Sequence, residues 1–282
     1  MSGREQGHAI KRSSSSLKLI FYGLAVGYAI ISLFPFVWSL YASLRPAGDV
    51  FQMNLDFSSL TFANYRAIAD VFPIGQWYVN SMIVAVIVTI GNLYVNAMAG
   101  YALARIRFPG RNLLFLVILG VMMIPGQVVM IPTYMLISGM GLINTVWGLS
   151  LPFLFSSFNT FLMRQFFLNL PAEVEESAEI DGLSRIRIFF KIALPLAKAP
   201  LLTLIILTFM GNWNSFLYPS LLTSTQSSYT LPVGLSTLSG QYFSFPNLMM
   251  AGAMYLSIPM ILLFLIFQRH FLEGLANTGI KG

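Results

Sequence analysis

Pro171-Ala-Glu-Val-Glu-Glu-Ser-Ala-Glu-Ile-Asp181-Gly182, running on through Leu183-Ser-Arg-Ile-Arg-Ile-Phe-Phe-Lys191 to Ile192-Ala-Leu-Pro195, decides how this chain reads. It holds five of the ten acidic residues in a protein that is 9% charged, and it lies between two long apolar runs. Local chemistry reads it as helix, break, helix. Pro171 suits a first helical position, where its missing N–H is an orphan anyway, and Glu173, Glu175 and Glu176 favour the positive end of the helix dipole. Val174, Ala178 and Asp181 fall at i, i+4 and i+7, a narrow stripe fringed by carboxylates. Gly182 then takes the left-handed conformation that stops the helix. Physics alone leaves two readings: a solvated acidic connector, or a short docking helix whose small residue admits a partner closely.

Composition supplies the setting. With 56% hydrophobic residues, no cysteine and a mean hydropathy of +0.74, the chain is outside the range of soluble domains and inside that of polytopic membrane proteins. The missing cysteine removes disulfide scaffolds, thiolate metal sites and cysteine nucleophiles together. The net charge of +6 does not point to nucleic acid, because the basic residues are spread among hydrophobic runs instead of gathered in a patch.

Six apolar runs are long enough to span a bilayer core of about 30 Å, at 19–44, 77–104, 113–136, 147–161 with its flanks, 200–222 and 248–267. The first is too long for the apolar region of a signal peptide and is read as a retained span. The third carries Pro125-Gly126 and Pro132 and is expected to kink or unwind at both. Such breaks are tolerated at membrane depth only where protein or a wet cavity satisfies the freed backbone. Fourteen of the sixteen basic residues then lie on one side, all but Arg45 and Arg66, which by the positive-inside rule is the cytoplasm. The expected organisation is a cytoplasmic segment 1–18, a six-helix all-α domain 19–271 and a cytoplasmic tail 272–282. Within the domain, 45–76 and 223–247 are external loops and 165–198 is a cytoplasmic loop.

No Asp, Glu, Lys or Arg lies inside any of these spans, and both His8 and His270 lie outside them. That argues against a proton-driven carrier, which relays through intramembrane carboxylates or histidines, and against a cation channel, which wants an acidic ring. The chain carries no energy source either. In Gly274-Leu-Ala-Asn-Thr-Gly279-Ile-Lys281, Ile280 displaces the lysine of a phosphate-binding loop. No catalytic residue and no metal site is expected: there is no His-Glu-x-x-His helix or Gly-x-Ser-x-Gly elbow, and Asp49, Asp56 and Asp70 are scattered.

Uncharged polar groups do occur at span positions, among them Asn92, Asn96, Asn212 and Asn214, with Trp213 between the last two. Each either glues helices together or, as a group, they line a route for a neutral, hydroxyl-rich solute, which amides and aromatic faces suit better than charges do. Gly100-Tyr-Ala-Leu-Ala104 and Ala251-Gly-Ala253 permit close helix approach, with packing as their role.

Glu176-Ser-Ala-x-x-Asp181-Gly182, then nine residues and Ile192-x-Leu194-Pro195, resembles the EAA loop of binding-protein-dependent ABC importer permeases, with Ser177 where that pattern usually has Ala. Asn80-Ser-Met-Ile-Val-Ala85, Ala99-Gly-Tyr-Ala-Leu-Ala-Arg105, Phe108-Pro-Gly-Arg111, Met123-Ile-Pro125, Leu231-Pro-Val-Gly-Leu235 and the Gly-Ile-Lys-Gly end, taken in order, resemble the second permease of maltose-type carbohydrate importers.

The resemblance implies a type I importer fold in the inner or plasma membrane of a prokaryotic cell. It also implies a second homologous permease, two ATP-binding subunits that hold ATP and Mg, an extracytoplasmic solute-binding protein and surrounding lipid, with no nucleic-acid partner and no cofactor in this chain. It assigns ATPase coupling to Glu176, Ser177, Ala178, Asp181, Gly182 and Pro195, and a second ATPase contact to the tail Gly279, Ile280, Lys281 and Gly282. A loop carrying Leu231, Pro232, Gly234, Gly240, Gln241 and Tyr242 would reach the binding protein. The expected function is uptake of a sugar or sugar-like solute by alternating access. The competing readings are the same architecture for another solute, or a stand-alone carrier or intramembrane enzyme.

Overall fold

The structure, a computed structural model, describes residues 3–46, 55–241 and 246–278, with side chains described for 17–46, 55–238 and 246–268. Among these residues every regular element is helical. They divide into two compact units. One is built from the chain up to Asp70 together with the stretch that ends at Tyr255. The other holds Val71–Gln241 and the chain from Leu256 onward.

In the first unit, helix α1 (Gly3–Ser43) carries Pro35 and ends at a polar clasp provided by helix α2 (Ala63–Val71). The last carbonyls of a helix have no partner of their own. Here the buried Asn64 donates to Ser43 O at 2.7 Å and to Arg45 O at 2.8 Å, and accepts from Asn247 at 2.7 Å. Tyr41 accepts from the Asp56 amide at 2.8 Å, and the Thr61 amide donates to Leu44 O at 2.7 Å. The segment read as an external loop is thus partly helical and tied to the end of α1.

The second unit is organised on helix α3 (Ile74–Arg105), against which most of its other elements pack. Helix α4 (Arg111–Met122) is followed by a 3-10 turn, Gly126–Val129, and by α5 (Met130–Gly139), with a 97° bend between them. Pro125 marks this break as expected. Pro132 does not break the helix, because it falls in the first turn of α5, where the N–H it lacks would have had no partner.

Next come α6 (Val146–Ser150) with the 3-10 turn Leu151–Phe153, and α7 (Ser157–Leu168), bent by 46° at 154–156. This break is absent from the sequence expectation. Then follow α8 (Ala172–Ile180), α9 (Arg185–Ile188), a π-helical segment Phe189–Ala193, α10 (Leu194–Leu196) and α11 (Lys198–Trp213). The chain bends by 80° at Ala197. The fifth span was expected to reach 222, but α11 stops at Trp213 and α12 (Leu217–Leu222) follows separately. Asn212 and Asn214 each turn their amide back onto the carbonyl four residues earlier, at 2.9 and 3.0 Å, a contact that competes with the helical ladder.

Beyond the 3-10 turn Gln226–Ser228, the segment expected to be a loop forms helix α13 (Leu231–Gln241), and α14 (Pro246–Thr278) closes the chain. Among the described residues, Leu17–Ser43, Ile74–Arg105 and Pro246–Gln268 are long and apolar enough to cross a membrane. Counting each of the three bent pairs as one span gives up to six, the number expected.

Two close approaches fix the packing on α3. Gly100 lies against Met163 and the Arg164 backbone of α7, where an added Cβ would come within 2.7 and 2.8 Å. Gly234 of α13 faces the buried Trp77 ring, which a Cβ would meet at 2.0 Å, and the Trp77 indole donates to Gln226 O at 2.8 Å. Gly234→Ala is therefore expected to lower stability by about 1–3 kcal/mol through overpacking. Gly120→Ala, on a helix face with nothing within 4 Å, is expected to gain about 0.4–1 kcal/mol. Thermal denaturation of the purified protein in detergent, scored by loss of the monodisperse peak, checks the two signs together.

Candidate functional site

Helix α8 begins after Pro171, which takes the residue before the first helical turn, and it ends in a Schellman cap. Gly182, at φ +81°, donates to Glu179 O at 3.0 Å, and Leu183 donates to Ala178 O at 3.0 Å. A residue with a Cβ is disfavoured at that φ, which is why glycine stands there. The helix buries Glu175 and Ala178 and exposes Glu173, Glu176, Ser177 and Ile180, the last at 87%. Asp181, Gly182 and Pro195 are also exposed. Ala178 therefore packs inward against its own chain and does not offer a small surface for a partner's close approach. The buried stripe is one residue away from the Val174–Ala178–Asp181 stripe read from the sequence.

Glu175, which the sequence marks only as one of three acids near the start of the helix, has a more specific place. It is 5% exposed, accepts from the Tyr101 hydroxyl at 3.2 Å, and pairs with Arg105 Nε at 3.3 Å and Arg185 at 3.5 Å. Arg105 also donates to Leu170 O, and Arg185 reaches Glu179. The signal was present in helical spacing: Glu175 lies three residues before Ala178 and so shares its face.

The amides separate into two groups. Asn96 is fully buried; it accepts from the Ser156 amide at 2.9 Å and the Thr160 hydroxyl at 2.7 Å, and donates to Asn92 O at 2.6 Å. Asn92 donates to Phe153 O at 3.0 Å and accepts from Asn159 at 2.7 Å, while Asn159 also donates to Thr208 at 3.1 Å. These contacts hold the α6–α7 break, so Asn96 is glue, and Asn92 serves as glue at the edge of a cleft. The cleft, about 400 Å³, is lined by Phe153, Phe155 and Phe158 with Asn159, Thr208 and Asn212, and none of the described residues in its wall is charged.

Trp213 is fully buried, donates to Leu256 O at 2.9 Å and stacks on Phe209, so it anchors α11 and is not in the wall of this cleft. Asn214 is exposed next to it. In α13, Leu231 is buried with its amide on Ser81 Oγ at 2.7 Å, Pro232 is half-buried, Gly234 lies against Trp77, and Gly240 and Gln241 end the helix. Leu231 and Gly234 are thus packing residues of a helix instead of the tip of a reaching loop. Tyr242 and Gly279–Gly282 lie outside the described residues.

Three comparisons place this architecture. The family described as "Binding-protein-dependent transport system inner membrane component" matches residues 96–276. The arabinooligosaccharides transport system permease protein AraQ of Bacillus subtilis is 35% identical over 95% of each chain. The galactooligosaccharides transport system permease protein GanQ of the same organism is 33% identical, over 94% of this chain and 96% of its own. A chain in the crystal structure of a bacterial ABC transporter involved in the import of the acidic polysaccharide alginate superposes with a TM-score of 0.80. It covers 92% of this chain and 98% of that one at 23% identity, a likeness of fold. The chain belongs to the binding-protein-dependent transport system inner membrane component family, as a multi-pass membrane transport subunit and not an enzyme.

Proposed function

We propose that this chain is one permease subunit of an ATP-driven importer for a sugar or sugar-like solute, moved inward by alternating access. Family membership implies an ATPase and a solute-binding protein as partners. A second permease subunit beside it, two ATPase subunits that bind ATP and Mg, and the binding protein on the outer side complete the assembly. The concentration of basic residues at 1–18, 105–111, 164–198 and the C-terminal end supports a cytoplasmic position for the acidic helix α8.

The observation that carries the substrate half is the cleft at the α6–α7 break. Three phenylalanine rings and the uncharged polar groups of Asn159, Thr208 and Asn212 match the apolar faces and hydroxyl edges of a carbohydrate. Two relatives named for oligosaccharides agree with this assignment. Glu176, Ser177, Ile180 and Asp181, exposed on α8, supply the face that meets the ATPase. Closure of the two ATPase subunits on ATP then moves α8, and the helices bonded to it turn the cleft from one side of the membrane to the other.

With the assembled complex in proteoliposomes, neutral oligosaccharides are expected to stimulate ATP hydrolysis and a phosphate-bearing solute to fail. Phe158→Ala and Asn212→Ala are each expected to raise the KM for uptake roughly tenfold, about 1.4 kcal/mol of lost contact. Unaltered KM values in both variants would remove the cleft from the transport path. Gly182→Pro cannot reach a φ of +81°, so it is expected to insert normally while uptake is lost and ATP hydrolysis persists. Normal uptake by that variant would count against α8 as the coupling element.

A further inference from the structure

The acidic helix has two routes to the transport cleft, and they differ in stiffness. The covalent route runs through α9, the π-helical segment Phe189–Ala193 and the 80° bend at Ala197 before α11 begins. Segments of this kind absorb displacement. The second route is electrostatic and direct. Arg105, the last residue of α3, donates to Leu170 O at the entry to α8 and forms an ion pair with Glu175 in its first turn, while Tyr101, one turn earlier on α3, donates a hydrogen bond to the same carboxylate. One guanidinium therefore holds both the entry and the first turn of α8.

Its planar fork allows this double engagement, and a lysine ammonium cannot reproduce it. Arg185 draws the Glu175 carboxylate toward α9 as well, so the acid is bonded to two neighbouring elements. From Arg105 the rigid helix α3 runs without a break to Asn92, thirteen residues and about 20 Å away, where it meets the cleft.

The geometry points to Glu175 and Arg105 as positioning residues that transmit the motion of α8 into α3, in parallel with the chain route through α10 and α11. This rests on the assignment of α8 as the coupling element. Neither residue lines the cleft, so their effect falls on how much solute moves per ATP and not on affinity for the solute. Removing one partner of a buried pair leaves the other charge unpaired, which costs more than removing both. The test is therefore confined to complexes that retain their ATPase subunits, and it includes the doubly neutral variant.

In proteoliposomes holding the assembled complex, Glu175→Gln, Arg105→Lys and the double variant Glu175→Gln/Arg105→Gln are each expected to lower solute uptake per ATP hydrolysed at least fivefold, at an unaltered KM for solute. Because the chain has no native cysteine, Arg105→Cys/Glu175→Cys supplies its only two thiols, which a reducible bifunctional thiol reagent can bridge, with the reagent-treated original complex as the control. Bridging is expected to restore uptake per ATP to within about twofold of the original protein, and reduction to abolish it again. If these three variants stay within twofold of the original protein, or bridging restores nothing, the assignment of Glu175 and Arg105 is overturned while α8 keeps its role. If the unaltered complex itself fails to link hydrolysis to uptake, the importer reading falls and this inference with it.

Discussion

A helix interrupted in an apolar environment exposes backbone polar groups that neither lipid nor packed side chains can satisfy. The structure turns on how that debt is met between α6 and α7. Asn92 and Asn96, one turn apart on α3, reach across and take the freed groups of Phe153 and Ser156. Asn159 and Thr160, from the first turn of α7, lock the two amides in turn. The break is therefore a stable feature with defined geometry, and the cleft lies beside it.

The same helix concentrates the other unusual chemistry. Charged side chains are scarce in this protein, and a carboxylate that is almost wholly buried survives only with cationic partners and hydrogen bonds. Glu175 has both, at the far end of the helix that carries the amides. Between the two polar clusters α3 is packed by small residues, with Gly100 against α7. A 32-residue rod with a polar fixture at two levels, tightly packed between them, moves as one body more readily than it bends.

Much of this was legible from residues alone, and what was missed has identifiable physical causes. Six apolar runs with charges only between them are a strong signal, because each run must satisfy one length constraint. The EAA pattern depends on fixed spacing around Gly182, whose backbone requirement is local. The α6–α7 break was hidden because it is stabilised by amides some sixty residues away, and nothing within 147–161 shows that they arrive. The face of α8 was misread by one position because nine residues give too few turns to phase a 3.6-residue period between Val174 and Glu175. Helix α13 lies within 223–247, which reads as an external loop because it falls between two apolar runs. Its Gly234 serves to admit the Trp77 ring, a partner on a distant part of the chain.

Helix α1 has a different kind of freedom. Its apolar stretch Leu17–Ser43 is exposed along nearly its whole flank and, among the described residues, is fastened at its last turn, by Asn64 and its neighbours. At 27 residues it is about 40 Å long, against about 30 Å of hydrocarbon. A rod longer than the layer it crosses and pinned at one end relieves the mismatch by leaning. Its tilt should therefore follow the thickness of the surrounding bilayer, so that membranes of different acyl-chain length present the same clasped foot with a differently inclined mast.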